Sequence, residues 1–389
     1  MLQGVNKRQT TKASAGYAFV FLEIFECEGG IQSYVKDVLK AYLTLEPCPS
    51  SDVFILRDGP GCPNPFEGHR GLRFHYGKSR WVNLGRMRLA IHLLVYLLFR
   101  RPQRVFCGHV MLAPLVRFLC RPLGIPYTVM TYGKEFWEPL PDKTRQALKQ
   151  AASIWTISRY SRDRACKTNN LEASSIQLLP CIVNGEMFTL GPKSPELIEQ
   201  YDLRNARVLM TVARLWPGDR YKGVDVTIQA LPSIRRVFPN VKYLVIGRGG
   251  DQPRLAQLAA DLGVSDQVIF AGFVPTEHLV EHYRLADAYV MPSQEGFGIV
   301  YLEAMACGVP VLSGDADGSA DPLQDSRLGW RVSRRDSAAV AAACIDMLRG
   351  DDQRCDSTWL RQQVLAAFSP QALADKLKRL LNSRLEKSQ

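Results

Sequence analysis

The sequence predicts an α/β protein made of two doubly wound domains, on three observations. Short apolar runs alternate with helical patterns along the chain, and the alternation is present in both halves. At 389 residues the chain is long enough for two domains with separate cores. The third observation is the stretch 289–312, YVMPSQEGFGIVYLEAMACGVPVL, around which the rest is organised. Its apolar run Ala288-Tyr289-Val290-Met291 stops at Pro292-Ser293 and opens into the turn Glu295-Gly296-Phe297-Gly298. Residues 299–307 then suit a short helix closed by Gly308, and residues 309–312 begin another strand. In a parallel sheet the loop of such a strand, loop, helix, strand unit lies at the carboxyl ends of the strands, where ligands bind. Two carboxylates bracket this loop, Glu295 within it and Glu303 in the helix among Tyr301, Leu302, Ala304, Met305 and Ala306. An unpaired carboxylate in so apolar a setting is costly, so Glu303 needs donors, and sugar or ribose hydroxyls are suitable. The competing reading puts Glu303 on the solvated side of an amphipathic helix.

From the N-terminus, residues 1–14 are polar and basic, and residues 15–25 (AGYAFVFLEIF) are apolar. A signal peptide reads similarly, but this run is short, contains Glu23 and is followed by Glu26 and Glu28 instead of a small-residue cleavage site. It is expected to be the first buried strand. Gly29-Gly30-Ile31 precedes a helical pattern over 32–45. A strand, paired glycines and a helix start form an anion-binding geometry, although most Gly-Gly pairs are only turns. Residues 53–56 and 72–75 read as further strands. The apolar run 89–99 (LAIHLLVYLLF) has Arg86, Arg88, Arg100 and Arg101 at its ends. It is shorter than the roughly 20 residues that span a bilayer, so a helix packed on the sheet is expected, with a helix that also touches lipid as the alternative. Strands at 105–107 and 127–131 follow, with a helix over 113–123 between them. After the second stands Tyr132-Gly133-Lys134-Glu135-Phe136-Trp137; strands at 153–158 and 178–183 complete the first half.

The second half opens with a strand at 208–213 that delivers Arg214. Lys222-Gly223 comes eight residues later, ahead of a helix over 224–237. Arginine supplies a bidentate fork and lysine a point charge, a combination that fits a diphosphate. A strand at 241–246 leads to Gly247-Arg248-Gly249-Gly250, and one at 267–273 leads to Val274-Pro275. His278 and His282 stand four apart on the next helix without an evident third ligand, so two exposed helix residues are expected there. Residues 314–329 are loop-rich, residues 337–348 form a helix, and residues 371–385 form a final amphipathic one.

Composition narrows the function. The ten cysteines include no Cys-x-x-Cys pair, which removes the common metal and redox motifs and suits free thiols in an intracellular enzyme. The net charge of +11 lies entirely in the first half: residues 1–190 hold 25 Lys+Arg against 14 Asp+Glu, and residues 191–389 hold 24 of each. Twelve basic residues and no acidic one stand between Glu67 and Glu135. Such a field attracts nucleic acid, an anionic membrane or a phosphorylated substrate. No nucleic-acid module accompanies it, so no nucleic-acid partner is expected.

The pattern Glu295-x7-Glu303, with Gly296-Phe297-Gly298 inside it and EAMACGVPV at its end, resembles the nucleotide-sugar site of the retaining glycosyltransferases of family 4, which have the GT-B fold. The resemblance extends over most of the second half and recurs more weakly in the first. It implies two Rossmann-like domains facing across a cleft: an acceptor-side domain over 1–190 and a nucleotide-sugar-binding domain over 200–368. The connection falls within 191–205, and a last helix at about 370–386 rejoins the first domain. By the same resemblance Arg214 and Lys222 bind the diphosphate, Gly247 lies near the nucleotide and Val274 where the base is seated. Glu295 and the backbone of Gly296, Phe297 and Gly298 hold the donor sugar, Glu303 holds the ribose, and Gly29 and Gly30 approach the phosphates and the acceptor. Two positions depart from the family pattern. Tyr132 stands where a histidine is common, and a phenol of pKa near 10 is not a base at neutral pH. Asn184 stands near a usual acidic position.

The implied reaction moves a hexose from a UDP- or GDP-linked sugar to an acceptor hydroxyl, with retention and without metal or other cofactor. Arg214, Lys222 and Glu295 are its expected catalytic residues, fixed positive charge taking the place of a metal. The basic first half favours a lipid-linked acceptor in cell-surface polysaccharide synthesis and an anionic membrane surface as partner. The enzyme is then expected to be cytoplasmic and peripheral on the inner face of the plasma membrane. Two alternatives stand beside this: a nucleotide-sugar-binding partner with little turnover, and a GT-B synthase using a soluble acceptor.

Overall fold

The computed structural model describes residues 16–382. The polar segment 1–14 and the part of the expected last helix beyond 382 lie outside the described residues. The first half runs β1 (Ala18–Phe21), α1 (Gly30–Leu43), β2 (Ser51–Ile55), β3 (Leu72–Tyr76), α2 (Val82–Arg100), β4 (Val105–Cys107), α3 (Ala113–Cys120), β5 (Tyr127–Met130), α4 (Asp142–Lys149), β6 (Ser153–Thr156), α5 (Arg159–Asn169) and β7 (Ile176–Leu178). The second runs α6 (Pro195–Gln200), β8 (Arg207–Val212), α7 (Val224–Val237), β9 (Val241–Ile246), α8 (Gln252–Asp261), β10 (Val268–Gly272), α9 (Thr276–Leu285), β11 (Ala288–Met291), α10 (Ile299–Ala306), β12 (Val311–Gly314), β13 (Trp330–Val332), α11 (Ser337–Arg349), α12 (Ser357–Phe368) and α13 (Pro370–Asn382).

The strands form two sheets of orders β3-β2-β1-β4-β5-β6-β7 and β10-β9-β8-β11-β12-β13. The pairings are parallel, for instance β1 with β2 and β4, and β8 with β9 and β11. Each order reverses direction once, between β1 and β4 in one sheet and between β8 and β11 in the other. Beyond the carboxyl ends of the strands flanking such a reversal the connecting helices diverge to opposite faces, which leaves a crevice for ligands.

The described chain divides into two compact units, one of residues up to 131 with 139–155, the other of 132–138 with 156 onward. The first is centred on stacked and edge-on aromatics: the Phe19 ring lies 5.0 Å from Phe106 and 5.3 Å from Tyr42. In the second, β-branched and leucine side chains of the central strands, such as Leu209, Val245, Val290 and Leu312, are buried against Val226, Leu231 and Val340 of α7 and α11. Burial on both faces explains why these strands read as mostly apolar runs without strict alternation.

Several elements differ from expectation. β1 is shorter than 15–25 because Asp58 accepts hydrogen bonds from the backbone N–H groups of Ile24 and Phe25, both at 2.8 Å, which turn the chain off the sheet. The 89–99 run proved to be only part of α2, a 19-residue helix beginning at Val82. The expectation that it is too short to span a bilayer is thereby corrected: by length and composition α2 is long and apolar enough. Its Leu89, Leu93 and Leu97 are nevertheless buried in the first unit, and Arg86 and Arg88 interrupt its early turns. Residues 191–205 contain α6, which Ser194 caps by accepting from the Leu197 N–H at 3.3 Å.

Candidate active site

The second unit's site is built on the loops that follow β8, β9 and β11. Beyond β8, the Leu215 N–H donates to the Arg248 carbonyl at 3.1 Å, and the Asp251 N–H donates to the Leu215 carbonyl at 2.9 Å, which fasten the Arg214 loop to the loop after β9. Gly247 makes this approach possible. It has φ +138°, and a methyl placed on it would stand 1.8 Å from the Ala213 carbonyl oxygen. Residues Pro217–Lys222 form a 3₁₀ segment that leads from the Arg214 loop to Lys222. The Gln294 N–H then donates to the Tyr221 carbonyl at 3.1 Å, which sets the next residue of each loop side by side, and Lys222 forms an ion pair with Glu295.

The loop after β11 is held from below. The Glu295 N–H donates to Asp317 Oδ2 at 2.5 Å, and the Gly318 N–H donates to the Glu295 carbonyl at 2.8 Å. Gly298, at φ +96°, turns the chain into α10. The Tyr301 hydroxyl donates to the Met291 carbonyl at 2.8 Å and so pins that helix to its own strand. Asp317 also accepts from Ser319, but burial dominates and pushes its carboxyl up to about 6.

Positive and negative charges are paired across the site. Arg214 Nε donates to Asp219 Oδ2 at 2.6 Å; the arginine side chain is 68% exposed and the aspartate 5%, so the carboxylate is fixed and the guanidinium is the movable partner. Arg214 and Lys222 line one small cavity with Trp216 and Asp219. A third cation joins them: Lys134 Nζ lies 3.6 Å above the Tyr221 ring. Desolvation lowers its pKa, Glu295 and Asp219 raise it, and Lys222 and Arg214 lower it further, so all four charges act on this ammonium.

The remaining expected residues are placed as follows. Tyr132 is buried, its N–H donates to Glu135, and its carbonyl oxygen would stand 3.3 Å from a methyl placed on Gly296. Glu303 is only partly buried, and one of its oxygens accepts from the Tyr283 hydroxyl at 2.7 Å. Burial raises its pKa, and the other carboxylate oxygen has no protein hydrogen bond among the described residues. The Phe297 side chain is core, edge-on to Phe368 at 5.9 Å, which leaves its backbone for a ligand. Val274 follows Phe273, whose 59% exposed ring lies 4.8 Å from the Arg248 guanidinium. Gly29 and Gly30 belong to the first unit, where they begin α1. Asn184 caps a turn, its side-chain oxygen accepting from the Glu186 N–H at 2.9 Å. The expectation of two exposed histidines is corrected: His282 is buried, with its ring nitrogens against the His278 carbonyl at 2.8 Å and the Tyr201 hydroxyl at 3.1 Å.

Sequence reasoning missed Lys134, Asp219, Tyr283 and Asp317. Lys134 lies two residues beyond Tyr132, in a stretch that was read only for its tyrosine. Tyr283 and Asp317 carried none, because only the fold brings them to Glu303 and Glu295.

Comparison with known proteins bears on this geometry. A family model described as "Glycosyl transferases group 1" matches residues 206–350. A GDP-mannose-dependent α-(1-6)-phosphatidylinositol monomannoside mannosyltransferase of Mycolicibacterium smegmatis is 33% identical over 275 residues, covering 67% of this chain and 70% of that protein. The chain belongs to the group 1 glycosyltransferases. A second relative of this glycosyltransferase, the GDP-mannose-dependent monoacylated α-(1-6)-phosphatidylinositol monomannoside mannosyltransferase of Corynebacterium glutamicum, is 27% identical over 381 residues, 91% of this chain and 94% of that one. The fold is GT-B: the structure of Anabaena HepE in complex with UDP superposes with a TM-score of 0.75 at 17% identity, over 95% of this chain and 100% of that one.

The buried Asp317 gives a pH test of how the Glu295 loop is held. Its folded pKa, about 6, lies above the ordinary value of 3.8, so the folded protein binds the extra proton between those values. The contribution of this carboxyl to stability is full below the lower value and is lost as pH rises through the higher one. Denaturant melts of wild type and Asp317→Asn should therefore show the wild type losing ground, on the order of 2 kcal/mol, between pH 4 and pH 7. A difference that stays flat over that range contradicts the burial account.

Proposed function

We propose that this glycosyltransferase moves a hexose from a nucleoside diphosphate sugar to a hydroxyl of a lipid-linked acceptor, with retention and without a metal ion. The observation that carries the reading is the convergence of Arg214, Lys222 and Lys134 on the two carboxylates Asp219 and Glu295 at the β8–β11 reversal. The transition state has oxocarbenium character beside a departing diphosphate. Arg214 and Lys222 stabilise that leaving group as its charge develops, each turning to it from a carboxylate already at the site. Lys222 exchanges Glu295 for a phosphate oxygen, which frees Glu295 to accept from the donor sugar's hydroxyls. The unpaired oxygen of Glu303 accepts from the ribose, and Tyr132 orients the sugar without acting as a base. The backbone at Gly247, Val274 and Gly296 to Gly298 lies along the donor, and Gly29 and Gly30 serve its phosphates and the acceptor. Both relatives are named for GDP-mannose and phosphatidylinositol mannosides, which makes those the first donor and acceptor to assay.

With a competent donor and excess EDTA present, wild type should keep its turnover, whereas Lys222→Ala and Glu295→Gln should each lose at least about tenfold, or 1.4 kcal/mol, while remaining folded. Turnover abolished by EDTA and restored by Mn²⁺ would refute the metal-free reading, and normal turnover in both variants would remove the assigned roles.

We further propose that the first unit docks on an anionic membrane, on the cytoplasmic side. α2 supports this with an apolar face left bare: Met87, Ile91, Val95 and Leu98 are all about half exposed, and Trp81 and Phe99 stand exposed at the two ends of the helix. Arg88 within α2 and Arg80, Arg100 and Arg101 at its ends add positive charge, and each cation contributes on the order of 1 kcal/mol near an anionic surface. Replacing Arg80, Arg88, Arg100 and Arg101 with Gln should reduce flotation with phosphatidylserine-containing vesicles, and 1 M salt should release the wild type by shortening the Debye length to about 3 Å. Equal flotation of wild type and variant at low salt would sink the proposal.

A further inference from the structure

The first unit holds a cavity that none of the donor residues lines. It has a volume of about 740 Å³ and opens at the carboxyl ends of β1, β2 and β4, where the first sheet's strand order reverses. That volume falls within the roughly 300 to 1,000 Å³ typical of small-molecule sites. Its walls are apolar: Leu22 beyond β1, Leu56 beyond β2, Leu112 beyond β4 and Leu89 of α2. Three cations line it as well, Arg57, Lys78 and Arg86, and no acidic residue does. Arg57 lies 3.5 Å from Glu23 and Lys78 pairs with Glu26, while Arg86 has no carboxylate partner among the described residues.

Neither half of this lining explains the other for a simple ligand. A neutral hydrocarbon makes no use of three cations, and a free phosphate makes no use of the leucines. An amphiphile with a phosphate and a chain uses both. The cavity also borders the bare face of α2, because Met87 belongs to that face and lines the cavity too. We propose that this cavity seats the hydrocarbon chain of an anionic amphiphile, with the phosphate held by Arg57, Lys78 and Arg86. The proposal rests on the lipid-linked acceptor reading and deepens it: the acceptor's chain leaves the bilayer and enters the protein, which fixes how far the sugar-bearing end projects. Phosphate binding draws Arg57 and Lys78 from their glutamates and gives Arg86 the partner it lacks.

Calorimetric titration of the full chain without donor tests this, using alkyl phosphates below their aggregation concentration. Each methylene taken from water strengthens binding about fourfold, so octyl phosphate should bind at least tenfold more tightly than hexyl phosphate. It should also bind more tightly than octanol or inorganic phosphate. Val82 and Met111 are 67% and 60% exposed at the cavity, so Val82→Trp with Met111→Trp fills it without disturbing the core. That variant should bind octyl phosphate at least tenfold more weakly, and Arg86→Gln should weaken octyl phosphate at least threefold while leaving octanol unchanged. Wild-type affinity in the tryptophan variant means adsorption to the surface or to another site and overturns the proposal, as does an affinity indifferent to chain length. Because no donor is present, an enzyme found to use a soluble acceptor leaves this binding result standing, and a failure to bind leaves the transfer reaction standing.

Discussion

The ion pair between Lys222 and Glu295 joins the two loops on which the rest of the site depends. One follows β8 and the other follows β11, strands that lie side by side at the point where the sheet order reverses. Both side chains are largely buried, 21% and 16% exposed. Two such charges attract by about 4 kcal/mol at 4 Å and an effective dielectric near 20, and desolvation opposes much of that. The pair is therefore a poor source of stability and a good switch. An anion that offers Lys222 a stronger partner gives back part of the desolvation cost and releases a carboxylate in the same step. Arg214 and Asp219 repeat the arrangement, with the aspartate buried and the arginine exposed.

The carboxylates also explain how three cations are tolerated so close together. Without them the like charges would repel at short range in a partly dry setting; with them the site is nearly neutral until a ligand arrives. Backbone bonds then set the geometry independently of charge: Gln294 to Tyr221 aligns the pair, and Asp317 and Gly318 hold Glu295 from the other side. The first unit follows a different logic. Its excess positive charge is spread over an apolar helix surface and gathered again at a cavity, which suits a ligand that is anionic at one end and oily at the other.

Much of the candidate site was legible in the sequence. Strands such as β8, β9 and β11 are mostly apolar and are followed closely by glycine, proline or a charged residue, so their ends, and the residues delivered there, follow from the pattern. Helices with little apolar periodicity were not legible. α5 reads RYSRDRACKTN and buries only Ser161, Ala165 and Asn169, so nothing in its composition announces a helix. α12 was missed although its cap was visible: Asp356 accepts from the N–H groups of Thr358 and Trp359 at 2.9 and 3.0 Å. α2 was underestimated because its first two turns mix arginines with apolar residues, which broke the run but not the helix. Partners such as Tyr283 of Glu303 and Asp317 of Glu295 are distant in sequence, and only the fold makes them neighbours.

The central claim is that a diphosphate replaces Glu295 as the partner of Lys222. A crystal structure of the protein with GDP or UDP tests it most directly. The account predicts Lys222 Nζ and the Arg214 guanidinium within hydrogen-bond distance of phosphate oxygens, and Glu295 separated from Lys222. A bound nucleotide with the Lys222–Glu295 pair still closed would contradict it.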